Sequence, residues 1–186
     1  MKYLTLLRHA KSDWEQPVLN DHARPLNERG LHSAPLVGRF LAKTYLGANG
    51  TPAVLPPVDR IISSTAARAQ ETAKLIAGAM AIDLQKMILE DRVYLAEPMT
   101  LLQVVQCLDE TWNHVIIVGH NPGITDFANR LLKTGEIEDM PTGAAALIEL
   151  QTDLWSLTDW SEARLVGFVT PRVIEKRFAG EVAAVA

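Results

Sequence analysis

The chain has 186 residues, of which 48% are apolar and 22% charged, and a formal charge of −4. This is the composition of one globular domain, 1–186, with enough apolar side chain for a substantial core. No Lys/Arg run, basic helix or basic-aromatic interleaving is present, which argues against a nucleic-acid partner. No stretch approaches the roughly 18 apolar residues of a membrane span. The N-terminal apolar run ends at Arg8, too early for a signal peptide, so the expected location is cytoplasmic. The single cysteine, Cys107, falls in a helical pattern and is expected to be a buried structural thiol.

Tyr3-Leu4-Thr5-Leu6-Leu7 is an uninterrupted apolar run that predicts a strand covered on both faces. Asp13 to Pro25 is polar and reads as a loop. Asn27-Glu28-Arg29-Gly30 predicts the cap and first turn of a helix to about Tyr45, in which Pro35 either kinks the helix or delays its start to near Ser33. Gly47 to Pro57 is a connection. Arg60 to Ser64 predicts a second strand, and about 65–80 a helix whose cap hydroxyl is expected from Ser63-Ser64-Thr65. A third helix is expected over about 100–110, and Val115 to Gly119 is a strand. A helix after Pro122-Gly123 is expected to end at Lys133-Thr134-Gly135. Two last strands, 144–150 and 164–170, flank a turn carrying Trp155 and Trp160. Such alternation predicts a three-layer α/β sandwich with a mostly parallel central sheet and helices on both faces.

Ligand crevices in such sheets lie at the carboxyl ends of strands. Three of those ends carry basic groups: Arg8 and His9 after the first, Arg68 in the first helical turn after the second, and His120 after the next. Arg68 opposes the helix macrodipole where it stands, yet a helix N-terminus with an arginine beside it is an anion receptor. His9 among cations has its protonated form disfavoured, and a neutral imidazole is a nucleophile. Its second ring nitrogen must then be pinned, most simply on a backbone carbonyl. His22, His32 and His114 lack this context and are read as solvated or capping residues.

The blocks Leu7-Arg8-His9-Ala10-Lys11-Ser12-Asp13-Trp14, Arg24-Pro25-Leu26 with Arg29-Gly30, Ser63-Ser64 followed by Arg68-Ala69 and Glu71-Thr72-Ala73, Gly119-His120-Asn121-Pro122 and Pro141-Thr142-Gly143 occur in an order that resembles the histidine phosphatase superfamily. Within it they are similar to the small SixA-type phosphohistidine phosphatase branch. The resemblance implies that His9 becomes phosphorylated, that Arg8, Arg68 and His120 grip the phosphoryl oxygens, and that Arg24 binds substrate at the pocket mouth. Alanine at position 10 replaces the glycine of many members.

Larger members protonate the leaving oxygen with a carboxylate in a segment near residue 89, which makes Glu90 the candidate general acid. Asp91, Asp13 and Asp21 are the other carboxylates weighed, and Glu90 or Asp91 could simply pair with Arg92. The expected activity is metal-independent dephosphorylation through a phosphohistidine intermediate, without a cofactor, on a phosphohistidine protein. The alternatives are a phosphomonoesterase acting on a small phosphate ester and a non-catalytic phosphate-binding module. A metallohydrolase is disfavoured, because His9 and His120 stand too isolated for metal-ligand spacing.

Overall fold

The computed structural model describes residues 1–14, 20–132, 137–160 and 163–183. Its six-stranded sheet is built from β1 (Lys2–Arg8), β2 (Arg60–Ser63), β3 (Met87–Leu89), β4 (His114–Gly119), β5 (Ala145–Leu150) and β6 (Ala163–Val169). The order is β3-β2-β4-β1-β5-β6. The β3-β2, β2-β4 and β4-β1 pairs are parallel, whereas β5 and β6 add antiparallel at one edge. The expected mostly parallel α/β sheet is therefore present.

Period-2 alternation divides the inward side chains between two cores. Leu4 and Leu6 of β1, Val115 and Ile117 of β4, and Ala146 and Ile148 of β5 face α3 (Pro98–Gln106) and α4 (Gly123–Leu132). Leu7, Ile116, Val118 and Leu147 face α1 (Glu28–Tyr45), α2 (Ala67–Ala79) and α5 (Pro171–Ala183). Both faces of the central strands are covered, which is why β1 and β4 read as continuous apolar runs.

Several local expectations change. Helix α1 starts at the Asn27 cap, whose side chain accepts from Gly30 N, and runs through Pro35 without a delayed start. The carbonyl displaced by the proline ring belongs to Leu31, an exposed residue, while Val37, Phe40 and Leu41 beyond it are buried and hold the helix to the sheet. Helix α2 begins after Ala66 with no side-chain cap, so the expected hydroxyl cap is absent. Cys107 is exposed at the end of α3, one position beyond its buried face, rather than a core thiol. His114 is not a solvated or capping residue. It is buried at the start of β4, bonded to Thr5 Oγ1 at 2.9 Å and the Pro56 carbonyl at 2.9 Å. The expected end of α4 at Lys133-Thr134-Gly135 lies outside the described residues. Among the described residues no helix is long and apolar enough to cross a membrane.

Candidate active site

Strand β1 delivers Arg8 and His9 to the carboxyl edge of the sheet, beside the ends of β2 and β4. The His9 backbone is locked there: its N–H donates to the Gly119 carbonyl at 3.0 Å, and its carbonyl accepts from Gly143 N at 3.1 Å. Gly143 has φ +79°, a conformation that strains any residue with a Cβ. The next residue is tied to α2, because Ala10 N donates to Thr72 Oγ1, which itself donates to the Arg68 carbonyl at 2.6 Å. Thr72 thus fixes the helix turn carrying Arg68 against the segment carrying His9. Glu71 plays the corresponding part for the loop, accepting from Leu26 N at 2.8 Å, two residues past Arg24.

The structure brings Arg8, His9, Arg24, Arg68 and His120 around one cleft of about 310 Å³. His9 Nδ1 lies 2.7 Å from the Ala10 carbonyl, so it carries the proton, and Nε2 accepts from Arg68 Nε at 3.2 Å. The one in-plane lone pair of Nε2 is therefore the one that Arg68 Nε engages. Arg68 is 2% exposed and reaches further with its other nitrogens, to the Asp21 carbonyl, to Asp21 Oδ2 at 2.9 Å and to His120 Nδ1 at 3.3 Å. His120 Nε2 then donates to Ser64 Oγ at 2.7 Å. The Ser63-Ser64-Thr65 run supplies a hydroxyl to a histidine rather than a cap to the helix.

Burial pushes His9 down to about 4, assisted by the Arg68, Arg8 and Arg24 charges and opposed by the Ala10 hydrogen bond. Burial likewise lowers His120 to about 3, with His9 and Arg68 adding to the effect. Both rings are neutral near pH 7. Two guanidinium nitrogens, Arg8 Nε and Arg24 Nε, are buried without a hydrogen-bond partner. Buried donors of this kind carry a desolvation cost that an incoming anion would relieve. Arg24 stacks over Trp14 at 3.5 Å, with its Nη2 on Asp21 Oδ1 at 2.6 Å.

Glu90 is not among the residues that line the cleft. Its carboxylate accepts from the Arg92 backbone, from Arg92 Nε at 3.0 Å and from Arg92 Nη2 at 2.7 Å. Those hydrogen bonds hold it below the usual carboxylate range, the opposite of what a general acid requires. The expectation for Glu90 is corrected accordingly. The cleft carboxylate among the described residues is Asp21, which the sequence offered only as one of several acids. Tyr94, whose hydroxyl donates to Asp21 Oδ2 at 2.7 Å and whose ring meets His120 edge-on at 5.5 Å, had no sequence signal. Among the described residues no three His, Cys, Asp or Glu side chains form a group able to hold a metal.

The family profile described as the histidine phosphatase superfamily (branch 1) matches residues 4–92, the stretch that carries Arg8, His9, Arg24 and Arg68. The chain belongs to the histidine phosphatase superfamily. It is a phosphatase. An uncharacterised protein of Mycobacterium tuberculosis is 30% identical over 175 residues, covering 89% of this chain and all of that one. A SixA protein from Agrobacterium tumefaciens is 28% identical and superposes with a TM-score of 0.72 over 91% of this chain and 98% of its own. A protein histidine phosphatase SixA solved with tungstate shares the fold at 18% identity, with a TM-score of 0.72 over 92% and 99% of the two chains. A mycobacterial glucosyl-3-phosphoglycerate phosphatase of the superfamily's fold is more distant, with a TM-score of 0.62 at 14% identity over 89% and 97%.

Proposed function

We propose that this histidine phosphatase removes phosphate from phosphohistidine in a protein, with His9 as the nucleophile. The observation that carries the substrate class is the state of the one acidic side chain lining the cleft among the described residues. Asp21 bridges Arg24 and Arg68 and accepts from Tyr94, and these contacts outweigh burial to hold it ionised. A cleft whose carboxylate has no proton to give favours a leaving group that needs none. Imidazole, whose conjugate acid has a pKa near 6.5, departs far more easily than an alkoxide.

In the first step Arg68 Nε turns from His9 Nε2 to a phosphoryl oxygen, and the lone pair so released on Nε2 forms a bond to phosphorus as the bond to the substrate nitrogen breaks, the electron pair of the broken bond staying on that nitrogen. Water then attacks the phosphoryl-His9 intermediate, regenerating the imidazole and releasing inorganic phosphate. Charge on the transferring oxygens is met by Arg8, Arg68, His120 and the positive end of α2, all held in place before substrate arrives. His120 is kept neutral first by burial and then by the His9 and Arg68 charges, and an entering dianionic phosphoryl group counters those charges and favours its protonation. Arg24 contributes its unpartnered Nε at the rim.

The test compares kcat/KM for a histidine-phosphorylated protein, an aryl phosphate and a sugar phosphate under one set of conditions, with and without a chelator. The expected order is phosphohistidine, then aryl, then sugar, with the chelator changing none of them. A clear win for the sugar phosphate would overturn the substrate assignment.

A further inference from the structure

We infer that Asp21 is a catalytic residue that selects the leaving group: its carboxylate accepts a hydrogen bond from the second ring nitrogen of the departing phosphohistidine and keeps that ring protonated. This builds on the phosphohistidine reading and goes beyond it, by assigning an acceptor where phosphomonoester chemistry would place a proton donor.

The geometry leaves one acceptor position for this purpose. Among the described residues, Asp21 Oδ2 is filled by Arg68 Nη2 and the Tyr94 hydroxyl, while Oδ1 receives Arg24 Nη2 alone and keeps a second lone pair. The Asp21 side chain is 45% exposed toward incoming substrate, although the Arg68 guanidinium it shares with His9 is buried. A group that holds one end of that guanidinium while His9 holds the other stands beside the reacting phosphorus, on the solvent side. The Asp21 segment is fixed in turn by the Asn20 side chain, which accepts from Ala23 N at 2.8 Å and starts the short Asp21–Ala23 turn.

The chemistry favours this role over that of a general acid. A phosphohistidine ring that is protonated on its second nitrogen leaves as neutral imidazole, keeping that proton and receiving the N–P electron pair on the nitrogen that held phosphorus. Without the proton it would leave as an imidazolide anion. An ionised acceptor at the second nitrogen raises the population of the reactive, protonated ring, and no proton crosses during the step. Arg24, Arg68 and Tyr94 hold the carboxylate in its acceptor form, and His22, bonded to Thr65 Oγ1 at 3.0 Å and packed against Tyr94, and Lys11, which lines the same cleft, are further titratable groups at this rim. An oxygen leaving group has no second N–H to offer, so Asp21 gives it nothing.

The experiment measures kcat/KM for Asp21→Asn and Asp21→Ser on a histidine-phosphorylated protein and on p-nitrophenyl phosphate, across pH. Loosened arginines slow both substrates alike. Losing the charged acceptor slows phosphohistidine further, by about tenfold or more, because hydrogen bonds to an ionised partner are roughly twice as strong as neutral ones. The high-pH limb of the phosphohistidine profile moves to lower pH in the variants, and the aryl profile does not. Losses equal within about threefold on the two substrates, with the limb unmoved, would reduce Asp21 to an anchor for Arg24 and Arg68 and overturn the inference while leaving the phosphohistidine reading intact. Failure of the unsubstituted protein to prefer phosphohistidine would overturn both.

Discussion

Replacing Arg68 with lysine isolates what the guanidinium does at constant charge. Arg68 makes side-chain contacts with three partners at once, His9, Asp21 and His120, at 3.2, 2.9 and 3.3 Å, and a further bond to the Asp21 carbonyl. A lysine ammonium is one point on a flexible stem. It satisfies one of those directions and leaves the His9 contact or the phosphoryl contact unmade. Losing one preorganised transition-state donor costs about 2.7–4 kcal/mol, or roughly 10²- to 10³-fold in the chemical step. We therefore expect at least about a 10²-fold loss in the single-turnover rate on an aryl phosphate. The fold should tolerate the change. Lysine keeps the charge, and Asp21, whose contacts with Arg68 are weakened, is half-exposed, so solvent takes up part of what those contacts lose. Arg68→Met should be slower still and melt lower than the lysine variant, because it leaves the Asp21 carbonyl and carboxylate and the buried His9 and His120 nitrogens without their donor. Single-turnover kinetics and thermal unfolding on the same preparations separate the two effects. An Arg68→Lys enzyme within about threefold of the parent rate would refute the idea that the shared guanidinium organises the cleft.

His9 should trap phosphate transiently: label from substrate quenched in base is retained and label quenched in acid is lost, as for a phosphoramidate, and His9→Ala shows none. Acid-stable label, or label on the His9→Ala protein, would rule out the nucleophile. Activity on an aryl phosphate, corrected for substrate ionisation, should hold level below neutrality and fall only as pH drops through about 4, where His9 gains its proton. The same depression has a stability consequence. Between 6.5 and 4 the unfolded His9 binds a proton that the folded one refuses, so stability declines as pH falls through this window. At pH 5.5 the cost is about 1.4 kcal/mol for His9 alone. The difference between urea midpoints at pH 7.5 and 5.5 should shrink in His9→Ala, the remainder belonging to groups such as His120 that are lowered in the same way; an unchanged difference would mean that His9 titrates normally in the fold.

The sequence by itself determined five of the six strands, the layers and the strand-end positions of Arg8, His9, Arg68 and His120, because each depends on local information; β3 is three residues long, too short to carry a periodicity of its own. Leu4, Leu6, Val115 and Ile117 announce buried parallel strands by their own run of apolar side chains, and a residue just past the carboxyl end of such a strand emerges at the ligand edge. Which groups meet at that edge is not local. Asp21 and Glu90 are both acids beside an arginine three or two residues on, and nothing in the chain order separates them. The tertiary structure separates them by folding the Asp21 loop across α2, where Arg68 reaches it, while Glu90 closes on Arg92 within its own turn. The same holds for Ser64 and His114. A hydroxyl before a helix usually caps it, but α2 starts after Ala66, two residues past Ser64, whose Oγ accepts from Ala66 N at 3.3 Å and meets His120 from β4 at 2.7 Å. A histidine at a strand start looks solvated until Thr5 on the adjacent strand and the Pro56 carbonyl enclose it. Apolar periodicity fixes the faces of elements one by one, whereas the pairing of polar groups depends on distances between elements that only the packed sheet sets.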